Sequence, residues 1–191
     1  MALGAACGWR ADHPIGAAFD KRFVRTMFGI DDARLVSCLR AASRIAEKGE
    51  TGTWLGTPSE ELVGRDDLPT LEQIEATGRA AEEGGKRISG IAAGMTSSDV
   101  DETLRDDIEE LAVACAFTEI LADKLTEAAT HSRSAAATPG KAQRQPPIEK
   151  HAWRGRIEPV TERFARCWMR RNKPTGLSDI ITALAACADN G

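Results

Sequence analysis

The chain has 191 residues, a formal net charge of −4, 42% hydrophobic and 28% charged residues, and no tyrosine. That balance excludes a chain disordered throughout and one that is mostly membrane-embedded, and the length suits one domain of ordinary size with an appendage. Low aromatic content leaves core volume to Leu, Ile and Ala, which suits closely packed helices better than a β-sandwich.

The N-terminal Met1–Cys7 stretch has the outline of a lipoprotein cleavage site but lacks a basic region and an apolar core before it. The first helix is expected over about 14–29, opening at Pro14 with Phe19, Phe23, Met27 and Ile30 on one face. A second, about 31–48, takes Asp31 or Asp32 as its cap. Its stripe is Leu35, Val36, Leu39, Ala42 and Ala46, and Gly49 stops it. Residues 50–69 read as a loop, with Trp54 and Leu55 pinning it to the body.

The longest regular pattern follows. Leu71, Ile74, Gly78, Ala81, Gly85, Ile88, Ala92 and Met95 alternate at three and four residues. After a break at Thr96–Asp99, Leu104, Ile108, Leu111, Cys115, Thr118, Ala122, Leu125 and Ala129 continue at helical spacing. Such stripes are the buried faces of helices packed along their length, so helices over about 70–95 and 98–130 form an antiparallel hairpin. Thr70 and Gln73 form a capping box at its start, and Ser98 or Asp99 caps the second arm. Gly78 and Gly85 each cost a helix on the order of 1 kcal/mol relative to Ala. A close approach of two backbones would offset that cost. With the turn centred near residue 97, Gly85 faces Ile108–Leu111 and Gly78 faces Cys115–Thr118. A break of the first arm at Gly84–Gly85 is the competing arrangement.

Residues 131–152 are polar, small and proline-bearing without a period, the composition of a flexible linker. A C-terminal unit over 153–191 follows. Ile157, Val160, Phe164, Cys167 and Trp168 share one helical face, Asn172–Gly176 makes a turn, and a last helix capped by Ser178 carries Ile180, Ile181, Leu184 and Cys187. The fold class is therefore all-α: a helical bundle on a long hairpin over 1–130, a linker, and a small two-helix unit.

Charge is segregated. Residues 47–127 hold 20 acidic and 7 basic residues, whereas 141–174 hold 10 basic and 3 acidic. The basic segment contains Arg154, Arg156, Arg163, Arg166, Arg170 and Arg171 near Trp153 and Trp168, a composition that can neutralise phosphates and stack on bases. The competing reading docks this segment on the acidic hairpin, of the same chain or of a second copy. The acidic face, with Glu72, Glu75, Asp106, Asp107, Glu109 and Glu110, is either a solvated helix surface or a surface complementary to a basic partner.

Catalytic motifs are not found. His13, His131 and His151 stand apart from one another and from any cysteine, so no metal-ligand spacing is met. Gly85-Lys86 fails as a phosphate loop, because position 80 is Ala and position 87 is Arg. No Glu-x-x-His, G-x-S-x-G or H-E-x-x-H occurs. Five scattered cysteines without C-x-x-C spacing read as buried thiols and point to a cytoplasmic chain. No stretch approaches the apolar length of a membrane helix.

The function expected is that of a non-enzymatic interaction protein, an adaptor, inhibitor or regulator, without cofactor. It would bind a protein partner through the acidic helical face. The alternative is a nucleic-acid-binding regulator using the six arginines, and a third is an enzyme with no readable motif. The small-residue seam also allows a homo-oligomer, since it can close within one chain or between two.

Overall fold

The computed structural model describes residues 17–28, 31–32, 35–36, 57, 59–94, 102–137, 153–171 and 177–189. Six helices are assigned within them: α1 (Ala17–Phe28), α2 (Ser59–Leu62), α3 (Leu71–Gly94), α4 (Glu102–Ala137), α5 (Arg154–Arg171) and α6 (Leu177–Asp189). No strand occurs among the described residues, and the chain is all-α there.

Helix α3 begins as its sequence dictates. The backbone N–H of Thr70 donates to Gln73 Oε1 at 3.0 Å, and the Gln73 N–H donates to Thr70 Oγ1 at 3.3 Å. These reciprocal bonds satisfy two donors that a helix start leaves orphaned. The helix then runs unbroken for 24 residues through Gly84–Gly85. Helix α4 is 36 residues long, about 54 Å at 1.5 Å per residue. It continues past residue 130 to Ala137, into the stretch read as linker; residues 138–152 lie outside the described part.

Helices α3 and α4 pack along their length, as the hairpin requires. Their register differs from the expected one. A β-carbon added to Gly78 would meet Cβ of Ala122 at 3.1 Å, and one added to Gly85 would meet Glu119 Oε1 at 3.3 Å and Cβ of Cys115 at 3.8 Å. Each glycine therefore faces residues about one to two helical turns further along α4 than a turn at 97 implies. The residues between the helices, 95–101, lie outside the described part, and with them the proposed caps Ser98 and Asp99. The buried line of α3 is also rotated by one position, through Ile74, Thr77, Ala81, Gly84 and Ile88, with Gly78 and Gly85 on its edge.

Helix α4 is buried on more than one side. Ile108, Cys115, Ala122 and Leu125 of the expected stripe are buried, and so are Val113, Ile120, Leu121, Lys124 and Ala128. This second set is covered by α5 and α6, whose Ile157, Val160, Cys167 and Leu184 close the same core. The expected face of α5 is the face that is buried, with Phe164 packed partly exposed against this core. Phe164 meets Phe117 of α4 edge-on, with ring centroids 5.9 Å apart, and Trp168 at 5.7 Å.

A second cluster closes the other end of the hairpin. Val24 of α1, Leu35 and Val36 pack with Ile88, Ile108 and Cys115. In α1 the buried positions are Asp20 and Val24, and Phe19 and Phe23 are half-buried, with stacked rings 6.1 Å apart. The expected apolar face is thus turned by one residue, because both aromatic rings are wide enough to cover the core from its edge. Trp54, Leu55, the rest of the second expected helix and the turn at 172–176 lie outside the described residues. No described helix is long and apolar enough to cross a membrane.

Candidate functional site

The basic helix lies on the acidic hairpin. Arg156, Arg163 and Arg170 recur every seven residues, the first two directly beside the apolar Ile157 and Phe164. That spacing keeps all three on one flank of α5, where they meet α4 running the other way. Arg170 Nη1 donates to Asp106 Oδ1 at 2.6 Å, and Arg163 Nε donates to Glu109 Oε1 at 2.9 Å. Arg156 bonds Asp123 and stands 3.9 Å from Glu119 Oε2. Each contact is partly exposed, so its contribution to stability is modest, under about 1 kcal/mol. Its larger effect is on register, because a wrong pairing would bring like charges together.

The residues singled out in the sequence are therefore divided. Asp106 and Glu109 bind α5, while Asp107 and Glu110 are half-buried beside them. Glu72 is exposed in the first turn of α3, and Glu75 is exposed one turn on, 3.8 Å from Arg79. Of the arginines, Arg156, Arg163 and Arg170 are in ion pairs, Arg154 lies 5.4 Å from the centroid of the Trp153 ring, and Arg166 is exposed. Arg171 ends α5, and its side chain is outside the described part.

Where α5 begins, a cleft of about 430 Å³ opens between it, α3 and α4. Glu75, Arg79 and Glu82 of α3 form one wall, and Glu119, Asp123 and Thr126 of α4 with Arg156 form the other. Gly78 and Ala122 lie between these walls, close enough that a β-carbon on Gly78 would come within 3.1 Å of Ala122 Cβ. Four carboxylates thus surround two guanidinium groups. Lys86, bonded to Glu82 at 2.5 Å, holds that carboxyl below its usual range. Burial pushes the Glu119 carboxyl up, as do the carboxylates of Glu82 and Asp123, against the opposing pull of Arg156 and Lys86.

Lys124 is the group that sequence reasoning missed. It is 1% exposed, and its ammonium donates to the Thr57 carbonyl and lies 5.3 Å from the centroid of the Trp153 ring. The Trp153 indole N–H in turn donates to Glu127 Oε2 at 2.9 Å. This cluster ties the chain before α2 and the start of α5 to the middle of α4, a fastening rather than an open site. Its sequence signal is the stripe Val113, Phe117, Ile120, Lys124, Ala128, which is apolar at every position but one.

Chemistry elsewhere is sparse. Burial raises the Cys167 thiol, and the nearby Glu109 and Glu110 carboxylates add to this, so it stays protonated and is a poor nucleophile. Among the described residues no three His, Cys, Asp or Glu side chains are grouped to hold a metal ion. No family model matches the chain, and neither a curated protein nor a solved structure is similar to it.

Proposed function

We propose that this chain is a non-enzymatic interaction module, an adaptor, inhibitor or regulator, that receives a basic protein partner on the α3 side of its hairpin. The observation that carries this reading is the cleft at Gly78, where four carboxylates, Glu75, Glu82, Glu119 and Asp123, meet three cations, Arg79, Lys86 and Arg156, so that one negative charge is in excess. A lysine or arginine side chain suits such a place. Its aliphatic stem can lie against Gly78 and Ala122, with its cation among the carboxylates. Glu72 and Glu75 extend the same acidic edge. Asp106 and Glu109 serve a different purpose in this reading, since Arg170 and Arg163 already occupy them. The same ion pairs weigh against a nucleic-acid interface, because they engage three of the six arginines it needs, Arg156 included.

The test is a titration of the isotope-labelled chain with a lysine-rich peptide, followed by NMR. Amide shifts are expected across residues 72–82 and 119–126, weakening with salt and abolished by joint Glu75→Lys and Glu82→Lys substitution. Absence of shifts up to millimolar peptide, or shifts confined to other surfaces, would defeat the proposal. A parallel titration with a DNA or RNA oligonucleotide at low salt reads the alternative, and saturable, steeply salt-dependent binding through Arg166 and its neighbours would favour it.

A further inference from the structure

Glu119 stands where three helices meet. Its Oε1 lies against α3, 3.3 Å from where a β-carbon on Gly85 would be. From α5, Arg156 comes within 3.9 Å of Oε2, beyond hydrogen-bond reach, while the same guanidinium bonds Asp123. From α3, Lys86 is held by Glu82 at 2.5 Å. Glu82, Glu119 and Asp123 therefore share Lys86 and Arg156, both of which sit closer to Glu82 and Asp123, while Arg79 of the same cleft stands 3.8 Å from Glu75. Glu119 is also the most enclosed of the three, with its side chain 28% exposed against 57% for Asp123 and 56% for Glu82.

We propose that Glu119 is a proton switch at the junction of α3, α4 and α5. As a neutral acid it rests against Gly85 and leaves Arg156 to Asp123. Ionised, it draws Arg156 inward and repels Glu82 across the hairpin, loosening the first turn of α5. Partial burial, with Glu82 and Asp123 as like charges, favours the neutral form, and Arg156 and Lys86 offset this only in part. The carboxyl is thus raised in the folded chain. Its contribution to stability is full below the unfolded-state value and is lost as pH rises through the folded one. The switch concerns the chain alone and needs no partner, so its failure leaves the binding surface proposed above standing.

The experiment follows the Glu119 side-chain carboxyl, the Gly85 amide and the Arg156 Nε–H by NMR across the acid range, in the full chain and in Glu119→Gln. The expected result is a Glu119 midpoint above the ordinary glutamate range, with Gly85 and Arg156 shifting at that same midpoint. In Glu119→Gln the Gly85 and Arg156 shifts disappear. A midpoint at or below the ordinary range overturns the proposal, as do Gly85 and Arg156 shifts that persist unchanged in the variant. Should Glu119→Gln fail to fold, the unaltered chain decides: Gly85 and Arg156 must shift at the raised Glu119 midpoint, and shifts at any other midpoint overturn the proposal.

Discussion

Towards α3, helix α4 presents Cys115 and Ala122 to a line of alanine and glycine, and the backbones close until a single β-carbon at Gly78 would be crowded. Towards α5 it presents Phe117, Ile120, Lys124 and a flank of carboxylates to Trp153, Ile157, Phe164 and three arginines. One helix is thus packed in two ways. The first interface gains specificity from shape, because a β-carbon opposite Ala122, at Gly78, would already be crowded. The second fills volume with large side chains and sets its register by charge. The lesson is that a buried helix face can be strongly polar at its border and still belong to the core.

The comparison breaks most visibly at its largest side chain. Trp153→Ala is expected to cost about 3–5 kcal/mol in chemical denaturation, since it empties a buried site between α4 and α5. A cost below 1 kcal/mol would show that α5 is not held as described. Next comes Lys124→Met, which keeps the stem but leaves the Thr57 carbonyl without its donor. A loss of about 1–3 kcal/mol is expected from the denaturation midpoint. If the variant proved more stable instead, the ammonium would be a burden on the core and not a fastening.

The α3 side is probed in the opposite sense, by adding atoms. Gly85→Ala should stabilise by roughly 1 kcal/mol, because helix propensity improves and its neighbour, the Glu119 carboxylate, is the free end of a flexible side chain. Gly78→Ala should forfeit that gain, because its neighbour is the fixed β-carbon of Ala122. Equal thermal shifts in the two variants would erase the distinction between the glycines. The smallest effects belong to the ion-pair flank. Arg163→Ala and Arg170→Ala should each cost under about 1 kcal/mol, with the difference shrinking at high salt. A salt-independent loss would mean that packing of the arginine stems outweighs their charge.

Legibility follows the same division. The hairpin could be read because Leu71, Ile74, Ala81 and Ile88 break a polar background at helical spacing, and the capping box marks their start. Its register could not. Gly78 and Gly85 are compatible with several partners a turn apart, and only the packed hairpin shows that they meet Ala122 and Cys115. The cleft is only partly visible in the sequence: Glu75 belongs to an acidic helix face, whereas Glu119, Asp123 and Arg156 come together only when α5 docks. The arginines carried a usable signal that composition obscured. Spacing of seven residues beside an apolar stripe is a helix flank, and read that way Arg156, Arg163 and Arg170 point to α4.

Local sequence was enough for the two arms of the hairpin and for α5 and α6 with their apolar faces, because propensity, capping and periodicity act before any tertiary contact exists. It did not show α2, which lies in the 50–69 stretch read as a loop, or the last turns of α4 in the stretch read as linker. Only packing settles which charges meet and which stay exposed. A carboxylate is the same residue on a solvated face, in an ion pair or half-buried at a junction. Glu72, Glu109 and Glu119 differ only in what the rest of the chain brings beside them.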